Sequence, residues 1–203
     1  ASQGAACGTP VAQASYGQFG TRAWGAIFSY ATTGDGYAPV WDRFDLTLAQ
    51  STALYFCDQG LGAQRVTLIG EVAYIYTSDL PEVSDMPYGR NPVFGAPSNL
   101  GGHPDDLGFV TTNSWGYRIR AAANYPNVFA GVELTPSIAW AHDVSGTSPT
   151  PSFIDGRKAF SLALGANYLT KYRGSISYTW FSGGFANDVR DRDFFSFTVS
   201  MDF

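Results

Sequence analysis

Phe195-Ser196-Phe197-Thr198-Val199-Ser200-Met201-Asp202-Phe203 closes the chain, with an apolar side chain at every odd position and a polar one at every even position. Successive side chains of an extended strand point to opposite faces, so this stretch predicts a strand with one apolar and one polar face. The stretch ends on an aromatic residue, Phe203. If the same alternation recurs upstream, the chain can meet an apolar medium through strands alone.

It does recur. Ile176, Tyr178 and Trp180 alternate with Ser175, Ser177 and Thr179. Phe160, Leu162, Leu164, Ala166 and Tyr168 alternate with Ser161, Ala163, Gly165 and Asn167. Further upstream the pattern returns in Val132–Trp140, Trp115–Ala122, Val66–Tyr76 and Phe44–Phe56, and more loosely in Trp24–Tyr30. That predicts roughly eight strands of about 10 to 13 residues, the length a tilted membrane-crossing strand needs. Aromatics gather near the strand ends, among them Trp24, Phe44, Tyr74, Trp115, Trp140, Tyr168 and Trp180, as interface girdles do.

Composition is compatible with this pattern. Of the 203 residues 14% are charged, 16% are aromatic and 23 are Gly. No run of about 18 apolar residues exists, so no segment reads as a transmembrane helix. The net charge of -5 leaves no basic stripe to neutralise phosphates, which argues against nucleic acid as a partner. The N-terminus has no basic region followed by an apolar core, so the chain reads as a mature form or a fragment.

The connections alternate in length. Back from the C-terminus they run long (Gly183–Arg192), short (Thr170–Arg173), long (Val144–Asp155) and short (Pro126–Gly131). Then come a very long one (Ser78–Asn113), a short one (Cys57–Ala63) and a long one (Thr32–Asp42). In bacterial barrels short turns face the periplasm and long loops face outside. The expectation is therefore all-β: an antiparallel transmembrane β-barrel over residues 22–203, with a periplasmic segment over 1–21 and a long outer loop over 78–113. A soluble β-sandwich or lipocalin-like barrel is the alternative, and it needs its apolar residues inside. Val93 and Phe94, apolar in the long loop, are candidates to anchor it within the lumen.

Cys57 begins a short turn, and Cys7 precedes the first strand on the same side, in an oxidising compartment. That makes a Cys7–Cys57 disulfide the expected state, with two free thiols as the alternative.

Arg118 and Arg120 are two apart and share a face. With Glu71 and Glu133 on neighbouring strands, and Arg157 nearby, they form either a charged constriction or an interior salt-bridge network stiffening the wall. Asp188, Asp191 and Asp193 crowd one outer loop and are weak Ca²⁺ candidates, without EF-hand spacing. His142, Asp143 and Ser145 are neighbours on one strand and cannot converge as a catalytic triad. No enzyme and no cofactor is expected.

The last strand, ending on Phe203, resembles the terminal strand of bacterial outer-membrane barrels, where it is the assembly signal. From about Phe44 to Phe203 the chain also resembles a proteobacterial outer-membrane family catalogued as domain of unknown function 1302. The matching pieces include Gly70-Glu71-Val72, Ser114-Trp115-Gly116-Tyr117-Arg118, Tyr125-Pro126-Asn127-Val128-Phe129, His142-Asp143-Val144 and Asp191-Arg192-Asp193-Phe194. The resemblance implies a channel-like barrel in the bacterial outer membrane, linked with export and hydrophobic compounds, with no settled substrate. It covers the C-terminal part of longer members, and the first 40 residues match poorly.

Ser161, Ala163, Gly165, Ser175, Ser177, Ser196, Thr198 and Ser200 point inward in this reading, and they are small. They suit a wide, wet lumen better than the side-chain-filled bore of eight strands. The expected partners are outer-membrane lipid, the barrel-assembly machinery, and further strands or envelope proteins that complete the wall. Two functions follow as expectations. One is a passive channel for small or hydrophobic solutes. The other is a structural barrel that anchors or completes an envelope assembly, without a pore.

Overall fold

The computed structural model describes residues 10–12, 41–82, 88–89, 108–150 and 152–202. Nine strands occur among them, in two sheets. Strand β1 (Pro10–Ala12) pairs with β2 (Trp41–Arg43) in a two-stranded piece. The remaining seven form one antiparallel meander in chain order. They are β3 (Leu46–Asp58), β4 (Arg65–Thr77), β5 (Asn113–Phe129), β6 (Val132–Ser145), β7 (Lys158–Tyr168), β8 (Tyr172–Ser182) and β9 (Phe194–Met201).

The sheet is open. Strands β3 and β9 are its edges and do not pair with each other, where a closed barrel of about eight strands was expected. Among the described residues each strand pairs only with its neighbours in sequence, and the remaining strand expected from the sequence, around Trp24–Tyr30, lies outside the described residues. So do Cys7, Phe203, Val93, Phe94 and the expected boundary at residue 21.

Connections alternate in length as the sequence predicts. The short ones are 59–64, 130–131 and 169–171, and the long ones are 78–112, 146–157 and 183–193. The tightest is Ala130-Gly131, where both residues have positive φ (48° and 83°). A two-residue hairpin turn of this hand matches strand twist, and glycine adopts it without strain.

Register assigns every side chain to a face, because directly opposite residues share one. Opposite pairs Glu71–Arg118, Arg118–Ala141, Ala139–Ser161, Ser161–Thr179 and Ser177–Ser196 define a face of small, polar and charged residues. All eight small residues expected to point inward lie on it.

The other face is apolar and open. It carries Leu68, Val72, Ile119, Ile138, Leu162 and Ile176, all exposed. On β9, Phe195, Phe197 and Val199 are 64%, 66% and 67% exposed. Two aromatic rows border this face. Near the long connections, Tyr74 lies opposite Trp115, Tyr117 opposite His142, and Phe160 between Trp140 and Trp180. Near the short turns, Tyr168 stacks on Tyr172 at 6.3 Å between ring centroids.

Strand β3 departs from the pattern. Its apolar residues Leu46, Leu48, Leu54 and Phe56 lie opposite Thr77, Ile75, Ile69 and Thr67, which places them on the polar face with Glu71. The expected strand is there, with its apolar stripe turned the other way. Leu46 has an apolar surface to meet on that side. It packs against a cluster of Ala73, Ile75 and Phe153.

The largest buried apolar side chains among the described residues belong to the long connections, not to the middle of the sheet. Phe109, Val110, Phe153, Ile154 and Tyr88 are all nearly inaccessible. Tyr88 and Val110 pack with Phe44 and Leu80.

Candidate functional site

Asp143 organises the charged region of the polar face. It is 3% exposed and lies opposite Gly116, next to a register shift that leaves Val144 as an extra residue on β6. Such bulges re-aim side chains near strand ends. Arg157 Nε donates to Asp143 Oδ2 at 2.7 Å, and the backbone N–H of Ile154 donates to the same oxygen at 3.1 Å. The second oxygen lies 3.8 Å from the Arg118 guanidinium. One buried carboxylate thus ties connection 146–157 to the strand wall.

That connection folds inward. Phe153 is 2% exposed and packs against Ala73 and Ile75 of β4. The Arg118 guanidinium carbon lies 5.9 Å from its ring centroid, a cation–π distance. Gly116 makes room for it, since a Cβ there would stand 2.9 Å from Phe153 Cε1 and 2.7 Å from the His142 carbonyl oxygen. The base of the connection is fastened too. Gly146, at φ 80°, donates its N–H to Asp155 Oδ1 at 2.8 Å, and Thr147 donates its N–H to Thr111 Oγ1 at 2.9 Å.

Glu71 lies opposite Arg118 and, among the described residues, forms no ion pair with it. Its carboxylate turns toward β3, accepting from Gln50 Nε2 at 2.8 Å and Thr52 Oγ1 at 3.5 Å. Arg120 lies between Ile69 and Ala139 and has no hydrogen bond or ion pair among the described residues. Two adjoining pockets of about 250 Å³ each open on the polar face and share Glu71 and Arg118. One runs over Arg120, Ala139, Ala141, Ala159 and Ser161. The other lies between Leu48, Gln50, Ile75 and Phe153.

The structure therefore brings together Glu71, Arg118, Arg120 and Arg157. It does not bring Glu133 to them. Glu133 sits near the short turns, roughly 27 Å along β6 from Ala141 at about 3.4 Å per residue. There it accepts from Asn124 Nδ2 at 2.6 Å. The residue that sequence reasoning missed is Asp143, weighed only as a triad member. Its odd number on β6 carried the signal, because it shares parity with Ala139 and Ala141, which face Arg120 and Arg118.

Cys57 carries a free thiol, and its expected partner Cys7 lies outside the described residues. Asp193 Oδ1 accepts from the backbone N–H of Phe181 at 2.7 Å. Among the described residues no three His, Cys, Asp or Glu side chains gather as metal ligands, Asp188 and Asp191 included. His142 belongs to the aromatic row, edge-on to Tyr117 at 5.6 Å between ring centroids.

Fold and site define a class: an antiparallel meander with one exposed apolar face, one polar face and a charged centre closed over by an inward connection. The chain belongs to the family described as protein of unknown function (DUF1302), whose model matches residues 3–203. The first 40 residues, read from the sequence as matching poorly, fall almost wholly inside that match. No curated protein matches the chain, and no solved structure matches it.

Proposed function

We propose that this chain forms the wall of an outer-membrane β-barrel channel for passive movement of small or hydrophobic solutes. The observation that carries this reading is the exposed apolar face bordered by two aromatic rows. A Leu, Ile or Phe left in water forgoes about 1.5–3 kcal/mol of burial, so a face this continuous calls for an apolar medium. Along β7, Phe160 and Tyr168 mark the two rows roughly 27 Å apart, which after strand tilt fits within the ~25 Å apolar band of such barrels. The opposite face, small and polar over β6 to β9 with charges on β4 and β5, suits water there, and the apolar stripe of β3 is confined to its edge. An open edge in lipid would leave backbone groups unpaired at several kcal/mol each, so β3 and β9 pair onward in the assembled wall.

Outer-membrane lipid covers the apolar face in this reading, and the barrel-assembly machinery inserts the chain. The location is the bacterial outer membrane. A second reading, a structural barrel without a pore, is favoured by one observation: Phe153 and its connection already occupy part of the polar face. Planar-bilayer recording separates the two. Discrete conductance steps from the purified, folded protein support the channel. A protein that inserts, keeps its β-sheet circular dichroism and stays electrically silent supports the structural barrel.

A further inference from the structure

We infer that Arg120, backed by Arg118, is an anion station in the lumen that admits small organic anions in preference to cations. The inference rests on the channel reading. Among the described residues, five charged side chains occupy the centre of the polar face: Arg118, Arg120, Arg157, Glu71 and Asp143. Arg157 and Asp143 neutralise each other at 2.7 Å, with Asp143 buried. Glu71 lies across from Arg118, and its carboxylate is held on the β3 side by Gln50. That leaves Arg120 as the uncompensated charge, exposed and without an ion-pair partner among the described residues.

What surrounds Arg120 fixes the kind of anion. On one side lie Ala139, Ala141 and Ala159, whose methyl groups form a shallow apolar floor, with Ser161 beyond them. A guanidinium offers a planar fork of donors that fits a carboxylate through two parallel bonds. An anion with a short apolar body can lay that body on the alanines and direct its carboxylate to Arg120. The pocket is about 250 Å³, smaller than the ~300–1,000 Å³ typical of drug-sized ligands, so the fitting anion is small. Arg118 lies over the Phe153 ring, where the inward connection narrows the path.

The test uses the reconstituted protein in planar bilayers under a KCl gradient, with benzoate as the organic anion and benzyl alcohol as its neutral counterpart. The wild type should show an anion-preferring reversal potential. Arg120→Gln should reduce the anion-over-cation permeability ratio about 30-fold, because one unit charge roughly 4 Å from the path in water changes each ion's occupancy about fivefold, in opposite directions for anion and cation. Arg120→Glu should invert the preference, and Arg120→Lys should retain most of it. Benzoate should block chloride current in the wild type and not in Arg120→Gln, while benzyl alcohol blocks neither. Conducting channels whose reversal potential is the same in wild type and Arg120→Glu overturn the anion station and leave the channel reading standing. Folded protein that never conducts overturns both.

Discussion

Asp143 shows how much one residue can hold. Its carboxylate is buried and shared between Arg157, the Ile154 N–H and the neighbourhood of Arg118. Removing it strands a partly buried guanidinium, and breaking such a pair typically costs about 3–5 kcal/mol. Asp143→Ala should therefore lower the unfolding free energy of the protein in detergent by that order, read from the urea midpoint and slope of tryptophan emission. Arg157→Lys keeps the charge but loses the directed Nε donor, and its loss should be smaller. Gly146 makes a sharper case. A Cβ at that position would stand 2.0 Å from the Asn113 carbonyl oxygen on a backbone at φ 80°. Gly146→Ala should fail to reach the native heat-modifiable gel mobility. Neither role could be read from sequence alone. Asp143 was legible as a member of one face through its parity, but its partner Arg157 comes from a connection whose path alternation does not describe.

At the scale of elements, the connection between β6 and β7 matters most. Its inward fold rests on Phe153 packing against Ala73 and Ile75. Truncating a buried Phe to Ala costs about 3–5 kcal/mol at a core site. Phe153→Ala should release the connection and raise single-channel conductance, whereas Leu169→Ala, at an exposed turn, should leave it unchanged. Sequence reasoning looked for the inward element in the longer loop 78–113, drawn by Val93 and Phe94, which lie outside the described residues. Strands β4 to β9 were legible because two-residue periodicity survives any register. Strand β3 was legible as a strand but not in its orientation. Alternation says which residues travel together, and only the pairing of Thr52 with Glu71 says which side they take.

At the scale of the whole molecule, two faces of opposite chemistry decide the solvent on each side. In vesicles containing brominated lipid tails, Trp140 and Trp180 should be strongly quenched, because both lie in the aromatic row of the apolar face. A quenching no greater than for free tryptophan in water would count against a lipid-facing sheet. The all-β architecture and the alternation of short and long connections were legible in the sequence, since both follow from local pattern. Closure was not, because it depends on what lies beside the edge strands, and local pattern does not encode that. The meander nevertheless constrains closure through simple parity. Seven strands alternate in direction, so β3 and β9 both run from the long-connection end toward the short-turn end. Bonded directly to each other they would make a parallel seam. A second copy of the same seven strands, set side by side, would carry the same parallel seam at both joins. An all-antiparallel cylinder therefore takes an odd number of further strands between β9 and β3.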